Sequence, residues 1–222
     1  PELCIVCGDC ARACPSKATE MSGQELGVSE ILEIIRRERP VIDESGGGVT
    51  FSGGEPLSHT GFLIELLDAC GKEGVHRCVD TSGNVKTADL LDVARKTDLF
   101  LYDLKIMDDK NHRAYTGVSN RLILENLEVL AQTGVDIGIR IPLIAGVNDD
   151  DQNIEASAKF IRGLAGQTKS VSLLPYHNIA QGKHQRLGQM TSHVSMQEPT
   201  EERLAQVSSI FDAYGVPVEI GG

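Results

Sequence analysis

The sequence predicts an α/β fold: a parallel sheet, closed or partly closed into a barrel, with a small cysteine-rich segment at its N-terminal end. Three observations point there. From Gly48 onward, strand-like and helix-like stretches alternate strictly, as repeated strand–helix units do. A Gly-Val pair recurs at Gly74-Val75, Gly134-Val135 and Gly215-Val216. At each, a left-handed glycine ends a helix and a valine opens the next extended stretch. Third, charged residues fall at the C-terminal ends of predicted strands, where barrel enzymes build their sites. A doubly wound open sheet is the alternative arrangement of the same units.

The division predicted is a cluster segment over residues 1–25 and the barrel over residues 26–222. Four of the six cysteines crowd into Cys4, Cys7, Cys10 and Cys14, followed by Pro15. Thiols at this ferredoxin-type spacing can wrap an iron–sulfur cluster, a better match to the pattern than zinc or disulfides. A cytoplasmic, low-oxygen setting follows from that reading. Cys70 and Cys78 stand apart and read as ordinary buried thiols.

A helix begins at Gly27-Val28-Ser29-Glu30 with Ser29 as its cap. Ile31, Leu32, Ile34 and Ile35 supply its apolar face, and Pro40 stops it. The first strand, Val49–Ser52, runs into Gly53 and Gly54, where a ligand could meet bare backbone, and then into Glu55 and Pro56. Further strands are predicted at His76–Asp80, Leu99–Lys105, Val135–Leu143, Val171–Leu174 and Val216–Ile220. Helices are predicted at Gly61–Lys72, Ala88–Lys96, Arg121–Thr133, Asn153–Leu164 and Glu201–Tyr214.

Composition sets limits on partners. The 222 residues suffice for one large domain with an appendage, and 41% hydrophobic with 24% charged residues is ordinary for a globular protein. No apolar run is long enough to span a bilayer, and no signal peptide is visible. A net charge of -11 argues against a broad nucleic-acid surface.

Strand alternation assigns side chains to faces. In Val135 to Ile141 the odd positions are apolar and should face the helices, so Arg140 points inward beside the small Gly138. Asp103 and Lys105 share one face at a strand's end, and Asp80 is likewise terminal. Singly, each has a plain explanation: an Asp103–Lys105 ion pair, a turn capped by Asp80, a loop histidine at His177. Jointly, Glu55, Asp80, Asp103, Lys105 and His177 are expected at one mouth. Asp149-Asp150-Asp151 reads as a polar loop and helix entrance.

Ser52-Gly53-Gly54-Glu55-Pro56 resembles the GGEP motif of radical S-adenosylmethionine (SAM) enzymes. With Gly46-Gly47-Gly48-Val49-Thr50 before it, the stretch resembles the activating enzymes of glycyl-radical enzymes. The resemblance continues through Asp80-Thr81-Ser82-Gly83, Asp103-Leu104-Lys105, Thr116-Gly117-Val118-Ser119-Asn120 and Leu173-Leu174-Pro175-Tyr176-His177. It implies a partial radical-SAM barrel, 4Fe–4S clusters and SAM. By that resemblance Gly53, Gly54 and Glu55 hold the amino end of SAM. Asp80 and Thr81 lie near its carboxylate, with a monovalent cation at Asp80. Asp103, Lys105 and His177 contact the rest, with Arg140 close by. His112 and Tyr115 match family positions without an assigned role. The implied partners are a glycyl-radical enzyme, whose glycine loses a hydrogen after reductive cleavage of SAM, and a reduced flavodoxin or ferredoxin as electron donor.

One family element departs. The reactive cluster of such enzymes takes a C-x3-C-x2-C triad, whereas Cys7-x2-Cys10-x3-Cys14 has the reverse order. The expectation is therefore a ferredoxin-like half-module plus a barrel lacking its first strand, inactive by itself, with the first remaining strand on an open edge. Two other functions compete. An iron–sulfur electron-transfer protein would leave the SAM-type strings unused, and a phosphate-binding barrel would leave the cysteine run unused.

Overall fold

The computed structural model describes residues 4–21, 23, 25–166, 168–177 and 196–221. Its centre is a six-stranded, all-parallel sheet: β1 (Gly48–Phe51), β2 (His76–Thr81), β3 (Leu99–Asp103), β4 (Asp136–Leu143), β5 (Thr168–Pro175) and β6 (Glu219–Ile220). The strands lie side by side in sequence order, so β1 and β6 are the edges among the described residues. A doubly wound sheet reverses its strand order at a switch point, and this one does not. With right-handed crossovers, an unreversed order puts every helix on one face, as in a barrel wall.

The helices are α1 (Asp9–Ala13), α2 (Val28–Arg37), α3 (Arg39–Ser45), α4 (Thr60–Lys72), α5 (Thr87–Ala94), α6 (Asp109–Thr116), α7 (Arg121–Ala131), α8 (Asp151–Gly163) and α9 (Glu201–Ala213). One face of the sheet feeds the core. Val79, Phe100, Tyr102, Ile137, Ile139 and Ile141 pack with Leu67 of α4, Leu90 of α5, Leu127 of α7, Ile154 of α8 and Phe211 of α9. Each large side chain removed from water there contributes about 1.5–3 kcal/mol. The alternate residues Asp80, Asp103 and Arg140 lie on the other, half-exposed face. Ile35 of α2 joins a smaller cluster with Cys70 and Val75.

The glycine joints are as expected: Gly74, Gly134 and Gly215 have φ of 66°, 80° and 69°. Several expectations need correction. The cap of α2 is Gly27, whose amide donates to the Glu30 carboxylate at 2.8 Å, and Ser29 lies inside the helix. Pro40 starts α3 rather than only stopping α2, because proline fits a first helical turn, where its missing N–H costs nothing. β3 ends at Asp103, so Lys105 follows the strand instead of belonging to it. The last strand shortens to Glu219–Ile220. Helix α6, which carries His112 and Tyr115, has no counterpart among the helices predicted from sequence. Its N-cap Asp108 accepts from the Asn111 amide.

Candidate active site

The strands deliver a row of charges to their C-terminal ends. Asp103 and Arg140 are register partners on β3 and β4. Arg140 donates to Asp103 from Nε at 3.1 Å and from Nη2 at 2.8 Å, and its Nη2 also donates to Asp80. The Ser52 hydroxyl extends the row by donating to Asp80 at 2.8 Å. Lys105 Nζ closes it, 3.4 Å from Asp103 Oδ2. Gly138, two residues before Arg140, keeps the floor low: a Cβ there would sit 3.1 Å from Leu101 and 3.3 Å from Ser170. Burial disfavours the charged guanidinium of Arg140, but the carboxylates of Asp103 and Asp80 outweigh it and its pKa is raised.

Two cations and two anions alternate in this row, so it is balanced in charge yet strongly polar. Beside it, Gly53 and Gly54 offer bare backbone, with no atom within 4 Å of a Cβ built on either. Such an arrangement suits a zwitterion. An ammonium finds the aspartates and glycine carbonyls, while a carboxylate finds Arg140 and Lys105.

Glu55 plays a part that the sequence did not disclose. Its Oε2 accepts from the amide of Ser82 at 3.0 Å and the hydroxyl of Ser82 at 2.6 Å. Its Oε1 accepts from the Thr81 hydroxyl at 2.8 Å and the Leu57 amide at 3.3 Å. The carboxylate therefore ties the glycine loop to the exit of β2. Thr81 is buried, and its hydroxyl also accepts from the Gly83 amide at 3.0 Å. Thus Glu55 caps the turn that the plain explanation gave to Asp80, and Asp80 accepts from Arg140 and Ser52 instead. His177 follows β5 at the same end of the sheet. It is exposed, with Nδ1 3.8 Å from Glu198, and among the described residues makes no hydrogen bond or ion pair with the row.

Other candidates are structural in their contacts. His112 is buried, and its Nδ1 lies 2.8 Å from the Val118 carbonyl and 2.9 Å from the Thr116 hydroxyl, which pins the turn after α6. Tyr115 is exposed. Asp150 caps α8 by accepting from the Asn153 amide at 3.0 Å. Cys70 and Cys78 are buried, and burial pushes both thiols up. A groove of about 590 Å³, lined by His76, Arg95, Asp98 and Asp136 among others, opens at the N-terminal ends of the strands. That end of a barrel carries stability rather than chemistry.

Cys4, Cys7 and Cys10 are exposed and Cys14 is half-buried, all as free thiols. Among the described residues, no three His, Cys, Asp or Glu side chains are gathered as a metal ion needs. The donor set nevertheless fits an iron–sulfur cluster, which takes thiolates at this spacing. The chain turns between the thiols at Val6 and Gly8, with φ of 57° and 77°. The Ser16 hydroxyl and the backbone amides of Thr19, Ala18 and Ser16 hold the Cys14 thiol down to about 7, which favours the thiolate that iron binds. No helix among the described residues is long and apolar enough to cross a membrane.

The model of the radical SAM superfamily matches residues 9–158. Over 210 residues the chain is 40% identical to the trans-4-hydroxy-L-proline dehydratase activating enzyme of Clostridioides difficile, covering 93% of this chain and 69% of that protein. It is 36% identical over 208 residues to the choline trimethylamine-lyase activating enzyme of Oleidesulfovibrio alaskensis, covering 93% of this chain and 67% of the relative. The chain thus spans about two thirds of the length of these relatives. Among solved structures, a domain of the pyruvate-formate lyase-activating enzyme from Bacteroides vulgatus is similar, with a TM-score of 0.69 and 41% identity. That match covers 79% of this chain and 99% of the other.

Proposed function

Because the chain belongs to the radical SAM superfamily, among the activating enzymes of glycyl-radical enzymes, we propose that the charged row and the glycine loop bind SAM for removal of a hydrogen from a glycine of a partner enzyme. The observation that carries the reading is the alternation of Asp80, Arg140, Asp103 and Lys105 beside the bare backbone of Gly53 and Gly54. The methionine part of SAM is a zwitterion and matches such a row. Its amino group suits the glycine loop that Glu55 anchors. Its carboxylate suits the neighbourhood of Asp80 and Thr81, where Arg140 supplies positive charge and a monovalent cation at Asp80 would add more. Lys105 and His177 border the remainder of the molecule.

Cys4, Cys7, Cys10 and Cys14 would hold iron–sulfur iron. A 4Fe–4S cluster supplies the electron for reductive cleavage of SAM, delivered to it by a reduced flavodoxin or ferredoxin. Within these 222 residues no C-x3-C-x2-C spacing occurs. What this chain's own residues are proposed to contribute is thus the SAM pocket and an electron-relay segment. The protein partner is a glycyl-radical enzyme. Equilibrium dialysis of the anaerobically reconstituted protein with radiolabelled SAM tests the reading. Saturable binding displaced by unlabelled SAM and not by inorganic phosphate supports it. No saturable SAM binding, with saturable binding of radiolabelled inorganic phosphate in a parallel dialysis, favours the phosphate-binding alternative.

A further inference from the structure

Lys105 lies outside any strand, so the sheet's ladder does not fix it. Its position comes from amide side chains. Asn148 Nδ2 donates to the carbonyl of Lys105 at 2.8 Å and to the carbonyl of Pro142 at 2.6 Å, while its Oδ1 accepts from the Ile144 amide at 2.8 Å. Two further asparagines complete the hold. Asn120 Nδ2 donates to the carbonyls of Ile106 at 3.0 Å and Met107 at 2.7 Å. Asn153 Oδ1 accepts from the Met107 amide at 2.8 Å, and its Nδ2 donates to the carbonyl of Asn148 at 2.8 Å. All three side chains belong to buried residues, at 3%, 2% and 8% exposure for Asn120, Asn148 and Asn153.

From this geometry we infer that Asn148 is a positioning residue for Lys105. The inference rests on the reading of Lys105 as a SAM contact. Only a primary amide fits the place: two donors meet two carbonyls, and one acceptor meets an N–H. An aspartate would set its charge against both carbonyls, and an alanine would leave three half-buried backbone groups without this partner. Asn148 also joins the exit of β3 to the exit of β4, which carries Arg140. Lys105 is thereby held at two points, its carbonyl by Asn148 and its ammonium by Asp103. Without the first, the ammonium no longer stands at a set distance from the row.

The test is a double-mutant cycle on SAM affinity, measured by calorimetry on the reconstituted protein, with thermal melts beside it. Lys105→Ala should weaken SAM binding roughly tenfold, the equivalent of about 1.4 kcal/mol. Asn148→Ala should weaken it by a similar factor and also lower the melting temperature. In the Lys105→Ala background, Asn148→Ala should lower the melting temperature as before yet leave affinity nearly unchanged, because the residue acts through Lys105. If Asn148→Ala does not fold, Asn148→Ser, which keeps one hydrogen-bonding group, replaces it with the same pattern at smaller amplitude. Affinity losses that add in the double variant, or a lowered melt with unchanged SAM affinity, overturn the positioning role. An unchanged affinity in Lys105→Ala alone overturns the reading beneath it instead.

Discussion

Glu55 and Ser82, twenty-seven positions apart, are joined by two hydrogen bonds to one carboxylate oxygen, at 3.0 and 2.6 Å. The glycine loop after β1 and the turn after β2 are therefore one unit. Replacing Glu55 by Ala strands the Ser82 amide and the Thr81 hydroxyl. The expected loss is about 1–3 kcal/mol of stability, read from chemical denaturation, together with weaker SAM binding. Glu55→Gln keeps an acceptor and should lose less of both. An alanine variant with unchanged stability would show that these bonds contribute nothing.

Gly54 has ordinary backbone angles and open space around it, whereas Gly53 has φ of 132°. Gly54→Ala should fold with a melting temperature close to that of the parent and bind SAM less well, since a methyl group covers the approach to the backbone. Gly53→Ala should in addition lose about 1–2 kcal/mol of stability, because L-residues resist that conformation. Equal SAM affinity in Gly54→Ala would mean that no ligand approaches there.

Asp109 offers a pH test. The Ser119 hydroxyl, the Arg113 guanidinium and the Asn120 amide hold its carboxyl down to about 2 from an ordinary 3.8. A pKa depressed on folding gives stability that is present above the unfolded value and lost as pH falls through the folded one. The melting temperature should therefore decline between pH 3.8 and about 2, and less steeply in Asp109→Asn. Parallel profiles for the two proteins would contradict the assignment.

The cysteines should divide into two classes. Serine at Cys4, Cys7, Cys10 or Cys14 should lower the iron and sulfide retained after reconstitution and leave the melt of the barrel unchanged, since residues 4–21 add no side chain to the main core. Cys70→Ala should retain iron and SAM binding but cost about 1 kcal/mol, a typical figure for a core change. Iron retention equal to the parent in all four serine variants would remove the cluster from this segment.

Much of this frame is legible in the sequence because its signals are periodic. A two-residue period turns Arg140 away from Ile139 and Ile141, and Gly-Val joints mark where helices hand over to strands. Asp103 and Arg140 come together through register, which strand-end alignment anticipates. What stays hidden is partnership across the chain. Nothing near Glu55 announces Ser82, and a carboxylate in a glycine loop invites a ligand as readily as a serine. Pro40 reads alike as the end of one helix and the beginning of another. Asn120, Asn148 and Asn153 follow no period, since their partners are backbone groups of the loops after β3 and at the end of β4.

The central claim is that the charged row at the C-terminal ends of the strands binds SAM. Calorimetric titration of SAM into the reconstituted protein tests it most directly, comparing the parent with Asp103→Ala, Lys105→Ala and Arg95→Ala. Arg95 lines the groove at the opposite end of the sheet. The account predicts one-site binding in the parent and in Arg95→Ala. In the other two variants affinity should fall by roughly tenfold or more, which corresponds to about 1.4 kcal/mol of binding free energy per factor of ten. Binding that Arg95→Ala abolishes, or that Asp103→Ala and Lys105→Ala leave intact, would contradict it.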